Sequence, residues 1–558
     1  MDRETLISTL TNARWLDLTQ PLSIFTPPWP GEMPLQVHFF KRLTGSAGGG
    51  QGANGQLIEW SNNTGTHLVG PTAFHSGCRS ISDIPLTELC GTGVVADVSD
   101  AVEDYGFYTP EMIEERVEVR EGDILIVHTG YGRYAWDQPD VENPDAQGGV
   151  ENKEFGYYVR HPGPSPDFYA WALEKKIKLL GVDCGAAEHP MNTNIRFMHA
   201  REFEKAQAAA KASTGKDWDE LFPVEEYQRM THQTLPKAGI HFLESLGGEL
   251  GEALNQRVWF LVQPIPFVEV EAAWCRVAAL VPDGDVDQDA LDAAMQSSEM
   301  LDLTLPFSVR TPQWANYVPL SLEYTKRVGG LDYGLGRNNS HCKCSFHIAT
   351  HMDGEKHFWA AGRTIGEVPL DYWHGPGVIV DISEEVSDSS VYTPQMIEDR
   401  VDLRDGDILL IKTGWHRFGW NSPDSDEFRY MIKHPGPSPD FADWCIRRKI
   451  KWLGIDCVAM EHPMNTIQRR MHPKTFEQAE AKLIAQFGKG WDEVFPLDQY
   501  YQDMHLNLFP KGIVHAENLG NAIAHAETGR YYVGAFVQRG MELASCWGRF
   551  VVFRETED

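Results

Sequence analysis

Apolar positions along this chain come in short runs rather than long ones. The segments GDILIVHTG from Gly122 and KIKLLGVDC from Lys176 are compact apolar stretches bounded by glycine and proline, and they predict buried β-strands. Between them SPDFYAWALEK predicts a helix, with Ser165 and Pro166 placed to start it. Further on, REFEKAQAAAKA from Arg201 consists of strong helix formers. Strands and helices mixed in this way indicate an α/β or α+β domain, and the pattern alone does not separate the two.

The same pattern then recurs. YTPEMIEERVEVREGDILIVHTG from Tyr108 returns as YTPQMIEDRVDLRDGDILLIKTG from Tyr392. HPGPSPDF stands at His161 and at His434, and EHPMNT at Glu188 and at Glu461. A chain of 558 residues exceeds what one core organises, and the repeat divides it into two domains, expected over 1–280 and 299–558. The stretch 281–298, VPDGDVDQDALDAAMQSS, is acidic and turn-rich at its start and reads as the linker. Tandem copies of one domain commonly reproduce a two-fold dimer within one chain, so a pseudo-dimer is expected. A homodimer of the two-domain chain is compatible with this layout.

Charge narrows the function. A net charge of −31 without any basic stripe argues against a nucleic-acid binder and against anionic membrane surfaces. No apolar run approaches membrane-spanning length, and MDRETLISTL lacks the apolar region of a signal peptide. Nine scattered cysteines suit a reducing, cytoplasmic setting rather than a disulfide framework. A small-molecule substrate is the partner these features leave.

The chemistry concentrates in SFHIATHMDGEKHF, Ser345 to Phe358. His347, His351, Asp353 and His357 are four metal-binding or proton-transfer groups within eleven residues, and imidazole with carboxylate is the donor set of zinc, manganese or iron. His347 and His351 would share a helical face, whereas His351 and Asp353 would share a strand face, and a tight loop is equally compatible. Downstream, His505 and Glu517 repeat the twelve-residue spacing of His232 and Glu244, as ligands donated from a distant segment would.

HIATHMDGEKH resembles the HxGTHxDxPxH signature of the metal-dependent cyclase family, which includes bacterial kynurenine formamidases and isatin hydrolases. The opening DLTxP, the tryptophan-containing stretch after it and the late histidine–glutamate pair are similar as well. Ala349 stands where that family has glycine, and Glu355 where it has proline. The resemblance implies two tandem swivelling β/β/α domains. It implies His347, His351, Asp353, His505 and Glu517 as ligands to a divalent metal, zinc or manganese, one or two ions in the C-terminal half. It further implies His357 as general acid/base, Trp314 as a substrate-stacking residue, and hydrolysis of a C–N or lactone bond in a small cyclic or aromatic substrate. A metal-dependent lyase, dehydratase or cyclase is the alternative, and a non-catalytic metal-binding scaffold the second.

In the first copy the matching stretch is SNNTGTHLVGPTAF, Ser61 to Phe74. Asn63, Val69 and Ala73 replace His347, Asp353 and His357, so the first half is expected to be catalytically dead. His67, His232 and Glu244 remain there and could hold a residual ion, and His75 could stand in for the lost acid/base. The first half is expected to buttress the second and to lend it Trp29. The glycine-rich stretches SAGGGQGANG and GGLDYGLGRNN, lacking a phosphate-loop lysine, suit mobile pocket covers better than nucleotide sites. Glu461, His462 and Asn465 are read as pocket-side groups with a mainly structural role, and Asp456 as a loop cap or a partner for a ligand histidine.

Overall fold

The computed structural model describes residues 1–43, 53–75, 77–138, 153–227, 230–329 and 337–556. The predicted strands form at Ile124–His128 and Leu179–Val182. The helices form at Phe168–Lys175 and Ala200–Thr214. The first of these starts later than Ser165 suggests, because Ser165 closes a turn in front of it, accepting from the Phe168 N–H at 3.2 Å.

Each half builds a closed sheet. In the first, Ala272–Val281, Arg257–Pro264, Cys90–Asp97, Ile124–His128, Leu179–Val182, His241–Glu244 and His67–Val69 follow one another, and His67–Val69 pairs back onto Ala272–Val281. In the second, Ser545–Glu555, Gly529–Val537, His374–Asp381, Ile408–Lys412, Leu453–Ile455, His515–Glu517 and His351–Asp353 follow in the same order, and His351–Asp353 pairs back onto Ser545–Glu555. Arg14–Asp17 and Ser298–Asp302 add to the outside of their respective barrels. The middle strands of each barrel are parallel and almost wholly buried, which explains their continuous apolar sequence. The chain is thus two tandem α/β domains, each with a seven-stranded barrel-like sheet.

The halves are interlocked. Gln36–Lys41 and Gly55–Ser61 of the first join Asn339–Ser345 and Ser321–Lys326 of the second in one four-stranded sheet, with His341 opposite Ser61 and Ser345 opposite Leu57. A single apolar core runs through both halves, and Trp60 lies 5.2 Å from Trp274 and 5.4 Å from Trp547, ring to ring. Buried Arg276 pairs with Asp17 at 2.7 Å and donates to the Val537 carbonyl of the other half; Arg549, paired with Asp302, donates to that of Pro264. The stretch read as a linker carries a helix, Gln288–Gln296, whose Asp292 accepts from Trp259 of the first barrel at 2.6 Å. Its counterpart Arg3–Asn12 packs against the second barrel, where Arg3 pairs with Glu555. Each leading helix therefore sits on the opposite half, as in a swapped dimer.

Candidate metal centre

The signature segment is neither one helix nor one strand. It leaves strand Asn339–Ser345 and turns through His347 and Ala349 at φ 67° and 56°. It then enters strand His351–Asp353 and ends on the helical turn Glu355–Phe358. The left-handed conformation costs an L residue roughly 1 kcal/mol or more, and Gly65, at φ 65°, takes the matching place of Ala349 in the first half. The turn carries His347 back over the strand, its Nδ1 2.9 Å from Asp353 Oδ1 and 3.2 Å from His351 Nε2.

His351 and Asp353, two apart on a strand, face one way. Strand His515–Glu517 lies antiparallel beside them, Glu517 opposite His351 and His515 opposite Asp353. Helix Asp503–Leu508 supplies His505, whose Nε2 is 3.4 Å from Asp353 Oδ2. Among the described residues, Asp353, His505, His515 and Glu517 form one group whose ligand atoms all lie within 4.8 Å of one another, and His347, Asp353 and His357 form another. All six residues expected as ligands or acid/base are buried in this one cluster. His515 was not read from the sequence, although its position two before Glu517 on a strand was the available signal.

The cluster fits a divalent cation. Both Asp353 oxygens and both His515 ring nitrogens are buried without a hydrogen-bond partner, a costly arrangement unless a ligand satisfies them. Burial, together with the neighbouring Asp353 charge, raises Glu517 to about 8. Burial opposes protonation of His505, but the nearby carboxylates of Asp353 and Glu461 outweigh it and raise the ring to about 10. Unpaired imidazoles and carboxylates converging on one point are a donor set suited to a divalent metal ion.

Outer contacts fix the rings. Glu461 accepts from His505 Nδ1 at 2.8 Å, leaving Nε2 to face the cluster. His351 Nδ1 lies 3.0 Å from the Ala349 carbonyl, with the same result. His357 Nδ1 lies 2.7 Å from the carbonyl of Asn54, a first-half residue whose own N–H and side chain donate back to His357 and Lys356. Its Nε2 then points inward as an acceptor, 4.0 Å from Asp353 Oδ2, and burial with the adjacent His347 holds its pKa well below the usual imidazole range. Asp456 is a loop cap, accepting from Thr413, Gly414 and His416. His462 and Asn465 brace Met464 and Trp491.

A cavity opens over the cluster, lined by Trp314, Tyr317, Phe358, Tyr501 and Gln502 among others. Lys41 and Ala53 enter it from the first half. Trp29, expected on that wall, is not there: it lines the first half's own cavity, edge-on to Tyr158. That cavity is lined by Asn63, Val69 and Ala73 at the substituted positions. His67 and His232 both lean on Glu244, at 3.3 and 3.0 Å, and no group of three metal-binding side chains as tight as those of the second half occurs there among the described residues. His75 does not line the cavity; its ring meets the Gln233 carbonyl at 2.9 Å. Most of both glycine-rich stretches lies outside the described residues.

The Cyclase family model ("Putative cyclase") matches residues 16–189 and 301–462, more than half of the chain and once in each copy. Kynurenine formamidase of Bacillus mycoides (strain KBAB4) is 25% identical over 197 residues, 35% of this chain and 79% of that protein. Kynurenine formamidase of Bacillus cytotoxicus is 23% identical over 185 residues, 33% of this chain and 79% of that protein. Among solved structures, isatin hydrolase A from Labrenzia aggregata aligns over 49% of this chain and 100% of its own, with 17% identity and a TM-score of 0.38.

Proposed function

The chain belongs to the Cyclase family, and on that premise we propose that its second half is a metal-dependent hydrolase of a C–N or lactone bond in a small cyclic or aromatic substrate. The observation that carries this reading is Asp353, both oxygens unpartnered, at the centre of His347, His351, His505, His515 and Glu517 and within reach of His357. His347, His351, Asp353 and Glu517 would hold one zinc or manganese ion, and Asp353, Glu517, His505 and His515 a second. An ion so held supplies Lewis acidity toward the scissile carbonyl and lowers the pKa of water.

The chain's own groups do the rest. His357, with Nδ1–H committed to Asn54, presents Nε2 as a base, takes a proton from the attacking water and delivers it to the leaving nitrogen or oxygen as the bond breaks. Glu461 keeps His505 in one orientation while this happens. Trp314 offers a flat apolar wall on which an aromatic substrate stacks. The kynurenine formamidases that the chain resembles favour formamides as the first substrates to try.

The test is metal content by mass spectrometry beside turnover of N-formyl arylamines, lactams and lactones. Wild type is expected to carry metal and to release ring-opened or deformylated product with uptake of water. The His351→Ala/Asp353→Ala protein is expected to lose both. Metal retained in the double variant, or a product formed without water, would overturn the reading.

A further inference from the structure

Among the described residues, Lys41 is a cation without a carboxylate partner in the wall of the second cavity. It ends strand Gln36–Lys41 of the first half, yet its side chain reaches across the shared sheet and lines the second half's pocket. It is the one lysine or arginine among the described residues lining that pocket. Its Nζ lies 4.2 Å from the centre of the Tyr317 ring, and no carboxylate approaches within salt-bridge distance among the described residues. Tyr317 in turn contacts His347, ring centres 5.0 Å apart, so the lysine stands one aromatic ring away from the metal centre. Burial lowers its pKa, as expected of an ammonium taken from water with nothing in exchange.

The other half shows what neutralisation of this position looks like. By repeat alignment Lys326 corresponds to Lys41, Arg337 to Ala53 and Glu32 to Tyr317. Arg337, which lines the first cavity, and Lys326 both converge on Glu32, whose side chain is fully buried; Lys326 Nζ is 3.9 Å from it and Arg337 pairs with it directly. Two cations meet one anion there. In the second cavity the anion is a tyrosine and one cation remains, resting on the ring face and able to pair with something that enters. A lysine over an aromatic face keeps its charge available, since the ring offers only partial compensation.

We propose that Lys41 binds an anionic group of the substrate, and that the second half acts on substrates carrying a carboxylate in addition to the bond that is cleaved. The carboxylate pairs with Nζ while the ring it decorates lies between Trp314 and Tyr317, and the scissile carbonyl faces Asp353 and His357. The first half is then part of the active site: it supplies both the anion reader and, through Asn54, the orientation of the base. The substrate class rests on the hydrolase reading of the site, whereas the anion-binding role of Lys41 is measurable without turnover.

The experiment is calorimetric titration of the full-length, metal-loaded chain with anthranilate and with aniline, two non-hydrolysable aromatics that differ by the carboxylate. Wild type is expected to prefer anthranilate by about 10-fold or more, the discrimination of one charge-assisted contact. In Lys41→Met the preference should collapse to within about 2-fold, and Lys41→Arg should keep most of it. Tyr317→Glu, which installs the first half's counter-ion, should abolish it as Lys41→Met does. Equal binding of both probes by wild type, or a preference that survives in Lys41→Met because the carboxylate is held elsewhere, would overturn the proposal. Thermal unfolding of Lys41→Met guards against a structural explanation: its midpoint should not fall, because a half-buried ammonium without a carboxylate partner is removed. If the preference is found but no formamide, lactam or lactone is turned over, the hydrolase reading fails and the anion site stands.

Discussion

The two cavities of this chain have the same frame, but their floors differ at paired positions. On the second floor His515 lies opposite Asp353 across two antiparallel strands; on the first, Phe242 lies opposite Val69 in the same register. Histidine and aspartate, buried and unsatisfied, became phenylalanine and valine, buried and packed. Glu517 and Glu244 keep their places opposite His351 and His67, and Glu244 is held far below the usual carboxylate range by its two histidine partners despite burial. The frame therefore survives the exchange of these residues, and what marks the second floor is that both Asp353 oxygens and both His515 ring nitrogens are left without partners.

The largest effect should come from carrying the first half's residue into the second at the centre of the cluster. Asp353→Val is expected to lower turnover on the order of 10⁴-fold, as loss of a central member of a catalytic unit does, with metal content near zero by mass spectrometry. If metal persists at the wild-type level, the first half holds it through His67, His232 and Glu244 and the contrast between the halves is mistaken. His357→Ala makes the same kind of exchange one step further out. It should cost turnover about 10²- to 10⁴-fold, the share of a general acid–base group, while metal content and melting temperature stay near wild type. A smaller effect is expected for Glu461→Gln, which keeps its volume but weakens the grip on His505; metal affinity, read by chelator competition, should fall about 10- to 100-fold.

Much of this was legible in the sequence because the chain carries its own control. The repeat made Asn63, Val69 and Ala73 visible as losses, and the spacing of His505 and Glu517 survived in both copies. The backbone that presents the ligands was not legible: His347 lies in a left-handed turn, His351 on a strand and His357 on a helical turn, so no single periodicity describes them. Residues that cross between the halves were also out of reach. Lys41 and Asn54 belong by sequence to the first copy, and only the pairing of Gly55–Ser61 with Asn339–Ser345 places them at the other copy's site. The same crossing misdirected the expectation for Trp29, which faces the cavity of its own half. His515 was out of reach for a different reason: its counterpart is Phe242, so no histidine repeats at that place to mark it.

The smallest change sharpens the comparison from the side of stability. Asp353→Val/His515→Phe rebuilds the first half's floor in the second. Breaking a buried polar pair by removing one partner is destabilising, but replacing both by apolar groups of fitting shape is often neutral or stabilising by about 1–4 kcal/mol. The two side chains are cross-strand neighbours, so the apolar pair meets as Val69 and Phe242 do. In metal-free protein the double variant is therefore expected to unfold at a denaturant midpoint at or above that of wild type, while binding no metal in the second half. Added zinc or manganese should raise the wild-type midpoint through binding to the folded state and leave that of the variant unmoved. A variant less stable than metal-free wild type would mean that His515 and Asp353 hold the barrel together by themselves, and that the first half lost more than its chemistry when it lost them.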